Sequence, residues 1–347
     1  MLKELLQLPR FWSTLGPNSD IVLSSRVRLA RNIHSIPFTN KIKGSEAYRI
    51  KVLLDKYING SDSSGDLIQI DLNEIDKSEK RFLRERNIIT YEMEISDHSM
   101  VILNKNDDYI VMVNEEDHLR IQVIRPGLQF EEAYEVANNV DDDLNKFIPY
   151  SFSHEYGFLS PSPSNLGAGL KVSAMLHLPA LTQRKRITTI IQNVRKIGAD
   201  IMGTIQEGGQ TLGSIYQISN KSSMGKTEIE IIEDITEVIN KVIELEDNYR
   251  DEYISQSRVE LEDKIWRSLG ILKYSRQINY VEAMEHLSSI RLGIILAVIR
   301  GIDLSLINDL MVNIQWSHLQ SNYDVIFTNN LQCDEYRADY LRNNLNI

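Results

Sequence analysis

The stretch Val111-Met112-Val113-Asn114-Glu115-Glu116-Asp117-His118-Leu119-Arg120-Ile121-Gln122 decides how the rest of the chain reads. An apolar strand runs in, four polar residues make a turn, and a second strand leaves. In that second strand Leu119, Ile121 and Val123 alternate with Arg120 and Gln122, the period of two expected of a strand with one buried face. Carboxylates crowded at a strand end repel one another, so the cluster wants a cationic partner. Two readings fit this stretch alone. One is a solvated acidic turn. The other is a carboxylate clamp for a cationic substrate, with Arg120 facing an anion beside it.

Working outward, Ile21 to Arg31 begins as a strand in which Arg26 and Arg28 alternate with Val27 and Leu29. Both guanidiniums then share one face, and two like charges side by side call for an anion between or above them. An exposed basic strand is one reading; a phosphate grip is the other, because the planar guanidinium forks onto phosphate oxygens. Toward the C-terminus, Ser160 to Gly169 reads as a loop stiffened by prolines and loosened by glycines, with the glycines allowing a ligand close approach. The strand after it, Lys171 to Leu178, holds His177 as a structural histidine, and no His/Cys/carboxylate spacing suggests a dedicated zinc site.

At 347 residues the chain can bury a large core and is expected to hold two domains. A net charge of -11 argues against a broad nucleic-acid-binding surface, so cations that handle phosphate must be concentrated locally. The single cysteine, Cys333, rules out an intrachain disulfide, and a reducing cytoplasm is the expected location. Met1 to Trp12, with Leu2, Leu5 and Leu6 at helical spacing, does not read as a signal peptide. No apolar run is long enough for a membrane span.

Helices are expected from Ser45 to about Ile58, from Glu74 to Glu85, over Phe130 to Phe147, and from Thr182 to a stop at Gly198. Strands are expected over Met100–Asn104, Tyr109–Val113, Ile201–Ile205 and Ser214–Ser219, with Ser61–Gly65 and Gln206–Gln210 as loops, the second of them mobile. Thr227-Glu228-Ile229-Glu230 has the capping-box pattern and opens a strong helix. Beyond about Tyr253 only helices are expected. The division is therefore 1–252 and 253–347, the second part suited to packing or dimerisation.

In this order, Ser24-Ser25-Arg26-Val27-Arg28, Asn114 to Arg120, Pro163-Ser164-Asn165-Leu166-Gly167 and Tyr216-Gln217-Ile218-Ser219-Asn220 resemble the phosphagen kinases. Within that superfamily the chain is most similar to the bacterial protein arginine kinases (McsB), whose phosphoarginine-sensing tail motif Asp334-Glu335-Tyr336-Arg337-Ala338 resembles. The resemblance implies an α+β fold with a small helical N-terminal part, an antiparallel sheet flanked by helices, and an all-helical C-terminal module. It implies ATP with Mg2+ as donor and protein arginine as acceptor. A Clp-type protease system, an activating adaptor and a homodimer are the implied partners, with neither nucleic acid nor membrane.

The resemblance also assigns residues. Arg26, Arg28 and Arg120 would hold the phosphates. Ser24, Ser25, Val27, the run Lys171, Val172, Ser173, Ala174 and Met175, and the run Met202, Gly203, Thr204, Ile205, Gln206 and Glu207 would complete the nucleotide site. Glu116 would orient and deprotonate the acceptor guanidinium, with Glu228 as second carboxylate and Glu115 shaping the site; Asp334 and Arg337 would form the tail site. A guanidinium ionises only above pH ~12, so it must lose a proton as its bond to phosphorus forms, and a carboxylate can take it.

The chain departs from the family pattern at Ser162 for a loop cysteine, Lys171 and Met202 for arginines, Met93 for a histidine and Cys333 for an arginine before Asp334. Such changes raise the alternative of a catalytically degenerate paralogue acting as a regulatory or phosphoarginine-binding subunit.

Overall fold

The computed structural model describes residues 14–60, 66–104, 106, 109–205 and 211–345. The helical start expected over Met1–Trp12 and the loops at Ser61–Gly65 and Gln206–Gln210 lie outside them. Strand β1 (Val22–Arg31) leads to helix α1 (Gly44–Gly60), strand β2 (Leu67–Asp71) and helices α2 (Lys77–Glu85) and α3 (Tyr91–Glu94). Strands β3 (Met100–Asn104), β4 (Ile110–Val113) and β5 (Leu119–Pro126) precede helix α4 (Phe130–Phe147) and a small hairpin, β6 (Phe152–Ser153) and β7 (Gly157–Phe158). Then come β8 (Leu170–His177), α5 (Pro179–Gln183), α6 (Ile187–Lys196), β9 (Ala199–Ile205) and β10 (Thr211–Asn220). The chain closes in helices α7 (Glu228–Tyr274), α8 (Tyr280–Ile295), α9 (Leu304–Asn313), α10 (Trp316–Tyr323) and α11 (Asn330–Asn344).

Eight strands form one antiparallel sheet in the order β2-β3-β4-β5-β1-β8-β10-β9. Strand β1 lies near its middle, which is why the alternation of arginines in β1 matters. On one face Val27, Leu29, Ile121, Val123, Val172, Ala174 and Ile218 are buried against α4 and the first half of α7. Helix α4 presents Phe130, Ala133, Ala137, Val140 and Leu144 at helical spacing to that layer. The opposite face is apolar only at its ends. Helices α2 and α3 cover β2 to β4 through Phe82, Leu83, Met93, Val101 and Met112. The C-terminal helices cover the other end through Leu212, Ile215, Tyr253 and Met284, with Leu23 and Met175 packed against them. Between these two covers the middle of the face is polar.

Two expected helices are corrected. Asp76 caps α2 and, with Glu79, closes a capping box, so the helix starts at Lys77 and Leu72–Glu74 is a separate 3-10 turn. The helix expected from Thr182 to Gly198 is two helices. Pro179 starts the first one early, as proline suits a first helical turn. Lys185 then takes a φ of 57°, and the Arg186 N–H reaches back to the Leu181 carbonyl at 2.9 Å, closing it in Schellman fashion. The capping box at Thr227 and Glu230 is present, with the Thr227 N–H donating to Glu230 Oε2 at 2.8 Å.

The expected division at 252/253 falls inside α7, just before Ser257, where the helix is kinked (φ -144°, ψ 37°). Side chains before the kink from Ile231 to Ile243 join the sheet's core, and those from Leu261 onward join the C-terminal one. Buried arginines tie the two parts together. Arg291 donates to His177 Nδ1 at 2.9 Å, the Asp20 carbonyl at 2.9 Å and Asn308 Oδ1 at 3.0 Å. On the far side, Glu85 at the end of α2 accepts from the backbone N–H groups of Ser317 (2.9 Å) and His318 (3.3 Å) at the start of α10. A carboxylate suits the positive end of a helix.

Beneath the polar strip, Arg31 grips Asp141 of α4 through contacts of 2.6 to 3.1 Å and lies over the Phe158 ring at 3.6 Å. Removing one charge of a buried pair leaves the other uncompensated. Asp141→Asn should therefore destabilise the fold by about 3–5 kcal/mol, read by urea denaturation; a loss under about 1 kcal/mol would mean that Arg31 is held by its carbonyl partners and rings instead.

Candidate functional site

The register of the sheet assembles the site. Arg28 in β1 lies opposite Gln122 in β5 on one side and Lys171 in β8 on the other; Arg26 lies opposite Ser173, and Ala30 opposite Arg120. Cross-strand partners share a face, so Arg26, Arg28, Arg120 and Lys171 converge on the polar strip. Few anions offset them. Burial and the nearby Arg120 push the Arg26 guanidinium down to about 10. Burial, then Arg26 and Arg120, push Arg28 well below the usual arginine range. Burial and Arg28 lower Lys171 as well. Arg26 donates to Gln217 Oε1 at 2.8 Å and Ser173 Oγ at 3.3 Å, while the Arg28 Nε is buried with no hydrogen-bond partner. A cavity of about 150 Å³ opens among Arg28, Arg120, Lys171, Glu116, Asn165 and Gly169. Self-repelling cations around a small hollow, one with an unspent donor, fit a polyanion such as a phosphate chain.

The acidic turn is legible atom by atom. Asn114 adopts a φ of 55°, which asparagine tolerates, and its side chain donates to the His98 carbonyl at 3.0 Å. Asp117 is fully buried and accepts from Asn32 Nδ2 (2.6 Å), Ser160 Oγ (2.6 Å) and Asn165 Nδ2 (2.8 Å). His118 accepts from the Ile33 N–H through Nδ1 at 3.0 Å and donates from Nε2 to the Pro37 carbonyl at 2.8 Å; burial lowers its pKa, so it stays neutral. Asp117 and His118 therefore fasten the turn to the segment that follows β1 and to the loop at Ser160. The two glutamates differ. Glu115 spends both oxygens inward, on Arg120 Nη2 (2.8 Å), on the Glu116 N–H (2.6 Å) and on Thr90 (3.1 Å). Glu116 meets Arg120 at 3.2 Å and Asn165 at 3.3 Å through Oε2 alone, and its side chain is 47% exposed.

Glu116 also faces a second cavity, of about 360 Å³, lined by Thr39, Asn40, Glu115, Pro161 and Ser162. Of Glu115, Glu116 and Glu228, only Glu116 borders both hollows. Glu228 is the first residue of α7, within electrostatic reach of Tyr134 on α4, and lines neither. A third cavity, of about 390 Å³ and mainly apolar, begins at Arg26 and runs between the sheet and the C-terminal helices. Ser24, Ser173, Met175, Met202 and Gly203 line its floor.

Other expected site residues fall elsewhere. Val27, Val172 and Ala174 are fully buried on the opposite face, because strand alternation turns them away. Ser25 Oγ donates to the Gly127 carbonyl at 2.6 Å and accepts from the Gln129 N–H at 2.9 Å, holding the entry to α4. Thr204 and Ile205 lie in β9; Gln206 and Glu207 lie outside the described residues. Met93 is the buried residue of α3 and belongs to the core cluster there; Asn87, with a φ of 57°, is the residue of that segment that lines the apolar cavity. In the sequence its only mark is an asparagine just past a helix, a residue type that tolerates the left-handed conformation found here. The loop glycines serve backbone packing: a Cβ on Gly167 would lie 2.7 Å from the Ser223 carbonyl oxygen, and one on Gly169 2.6 Å from Arg31 Nη1.

In the tail, Asp334 and Arg337 do meet. Arg337 is buried and donates to Asp334, to the Ile314 carbonyl at 2.9 Å, to the Ile278 carbonyl at 3.0 Å and to Cys333 Sγ at 3.2 Å. Among the described residues no group of three or more histidine, cysteine or carboxylate side chains is placed to hold a metal ion, and no helix is long and apolar enough to cross a membrane. A magnesium ion carried in on phosphate oxygens and water needs few protein ligands, so a dedicated metal cluster is not required of this site.

Comparison with known proteins agrees with this chemistry. Residues 50–249 match the family described as ATP:guanido phosphotransferase, C-terminal catalytic domain, and residues 258–347 match the protein-arginine kinase McsB C-terminal domain. A protein-arginine kinase of Bacillus licheniformis is 39% identical over 309 residues, covering 88% of this chain and 85% of that protein. One from Bacillus cereus is 41% identical over 307 residues, covering 88% and 87%. Among solved structures, the duplicated taurocyamine kinase of Schistosoma mansoni aligns with a TM-score of 0.60 at 21% identity, over 71% of this chain and 37% of that one. Lombricine kinase aligns with 0.59 at 20% identity, over 69% and 71%. These two share the fold. A strip of arginines meeting a paired-glutamate turn, on that fold and in that sequence company, places the chain in the protein-arginine kinase family of ATP:guanido phosphotransferases.

Proposed function

We propose that the protein transfers the terminal phosphoryl group of MgATP to arginine side chains exposed on other proteins. The observation that carries this reading is the position of Glu116 between the cation-lined hollow and the cavity at Thr39 and Ser162. Arg28, Arg120 and Lys171 hold the phosphates, with Arg26 at their junction with the apolar cavity, where the base lies. Magnesium, bound through the phosphates, supplies further charge compensation. The acceptor guanidinium enters past Thr39 and Ser162. The Thr39 hydroxyl already donates to the Glu116 carbonyl and steadies that rim. Glu116 holds the cation, aims one nitrogen at phosphorus and takes its proton as the N–P bond forms and ADP leaves. Glu115 keeps Arg120 in place and shapes the acceptor cavity beside Glu116.

The finer partners follow the family. Clp-type proteolysis in a stress response, an activating adaptor and a homodimer are the expected setting, in the cytoplasm. The homodimer has support in Val259, Trp266 and Tyr274, which are 81%, 51% and 77% exposed along the second half of α7. The tail pair reads as an internal ion pair, since four hydrogen bonds already engage Arg337. A second reading, a regulatory paralogue, draws on Ser162 at the acceptor rim and on Met202, an uncharged side chain beside Arg26.

Three outcomes test these readings. Glu116→Gln keeps shape but loses charge and base, so phosphorylation of an arginine-rich protein under MgATP, followed by mass spectrometry at non-acidic pH, should drop by roughly 10²–10⁴-fold with the fold intact. Unchanged activity would remove Glu116 from the chemistry. Lysine compensates charge without the fork, and an arginine acting mainly in the transition state is worth on the order of 10³-fold. Lys171→Arg with Met202→Arg should accordingly raise single-turnover rate more than MgATP affinity. Absence of MgATP binding in both proteins would favour the regulatory paralogue. Lastly, free phosphoarginine at about millimolar concentration should give no heat in calorimetry, because Arg337 would first have to give up its carbonyls.

A further inference from the structure

The apolar cavity has two walls of different origin. Its floor is the sheet. Its roof is built by Tyr280 and Met284 of α8, Asn308, Met311 and Val312 of α9, and Gln315 between α9 and α10. At its mouth stands Arg26, and beyond Arg26 lies the cation strip. A cationic end beside an apolar pocket suits a ligand with an anionic tail and a flat aromatic head. Four of the chain's nine methionines, Met175, Met202, Met284 and Met311, line this cavity. Thioethers are polarisable, pack on aromatic rings and adapt their shape. Pockets of ~300 Å³ and above that are mostly apolar with a few amides are typical small-molecule sites.

Arg291 holds the roof through Asn308, and a second side chain that does not line the cavity fastens both of its ends. The Arg337 guanidinium donates to the Ile278 carbonyl, two residues before Tyr280, and to the Ile314 carbonyl, next to Gln315. Its carbon also lies 5.8 Å from the centre of the Tyr280 ring. Both ends of the roof are thus fastened to α11 by a single buried cation. We propose that the C-terminal module is a wall of the nucleotide site that selects the base, and that Arg337 is the positioning residue for that wall. The inference rests on the reading that the cation strip takes the phosphates of ATP.

The test titrates the full chain with MgATP and, in parallel, with magnesium tripolyphosphate, which carries phosphates and no base. Val312→Phe fills the roof; Arg337→Lys keeps the charge and loses the fork. Each should weaken MgATP by about tenfold or more and leave tripolyphosphate within about twofold. Val312→Phe should also change the ratio of MgATP to MgGTP affinity, which a merely structural role would not move. If Arg337→Lys does not fold, Asp334→Asn, which loosens the same guanidinium from its solvent side, takes its place. MgATP affinity unchanged in Val312→Phe overturns the inference and leaves the kinase reading standing. Parallel weakening of both ligands also overturns it, because the module would then act on the fold as a whole. Failure of the unaltered protein to bind either ligand overturns both readings.

Discussion

Four cations on one face of one sheet form the constraint on which the rest of the structure depends. Arg26, Arg28, Arg120 and Lys171 are brought together by strand register, and burial depresses three of them below their usual range. Such a face cannot be a core, so the apolar layers that stabilise the sheet must lie elsewhere. They lie on the whole of the opposite face and at the two ends of this one. Glu115 and Glu116 offset part of the charge from a single turn, which explains why that turn is fastened so thoroughly. Asp117 and His118, both fully buried, secure it to the segment after β1 and to the Ser160 loop.

Much of this was legible in the sequence, and unevenly so. Alternation in β1 and β5 foretold which side chains share a face, since a strand has no freedom in that respect. The paired glutamates stood out because crowded carboxylates need a reason. The division of labour between Glu115 and Glu116 was suggested only by resemblance; in space it follows from which carboxylate has an oxygen to spare. Glu228 was named on resemblance alone; the capping box makes it the first residue of a helix, and it lines neither hollow that Glu116 borders. The Thr182–Gly198 helix was read as continuous because nothing in the periodicity marks a closure at Lys185, a left-handed conformation on a residue that rarely adopts it. Least legible was the cavity roof. Tyr280, Met311 and Gln315 belong to no motif, and only the docking of one module on another brings them to Arg26.

That docking depends on the same kind of interaction as the site does. Arg291, Arg250 and Arg337 are buried and satisfied largely by backbone carbonyls and by Glu246, Asn308, Asp20 and Asp334. A guanidinium suits these seams because its planar fork meets several acceptors at once. Arg28 differs from these seam arginines in satisfaction. Arg291 and Arg337 have their donors engaged, whereas Arg28 keeps a buried Nε without a partner. Buried polar groups are normally paired; of the few unpaired ones among the described residues, Arg28 Nε is the one whose residue lines the cation-ringed hollow, which is where a ligand atom would complete it.

The overall charge then acquires a meaning. The chain carries a net charge of -11, yet its cleft must take a polyanion. The two requirements operate at different ranges. Charge separated by more than a Debye length, about 8 Å at physiological salt, is largely screened, so the acidic surface does little to oppose phosphates already at the strip. At the protein's edge the same acidic field attracts cationic segments, and for a kinase that phosphorylates arginine those are the segments that carry its acceptor. In the proposed reaction Glu116 stands where the two fields meet, one oxygen turned to Arg120 and the side chain half exposed toward the cavity at Thr39 and Ser162. A carboxylate further inside would be neutralised by the arginines, and one further out could not reach the phosphoryl group.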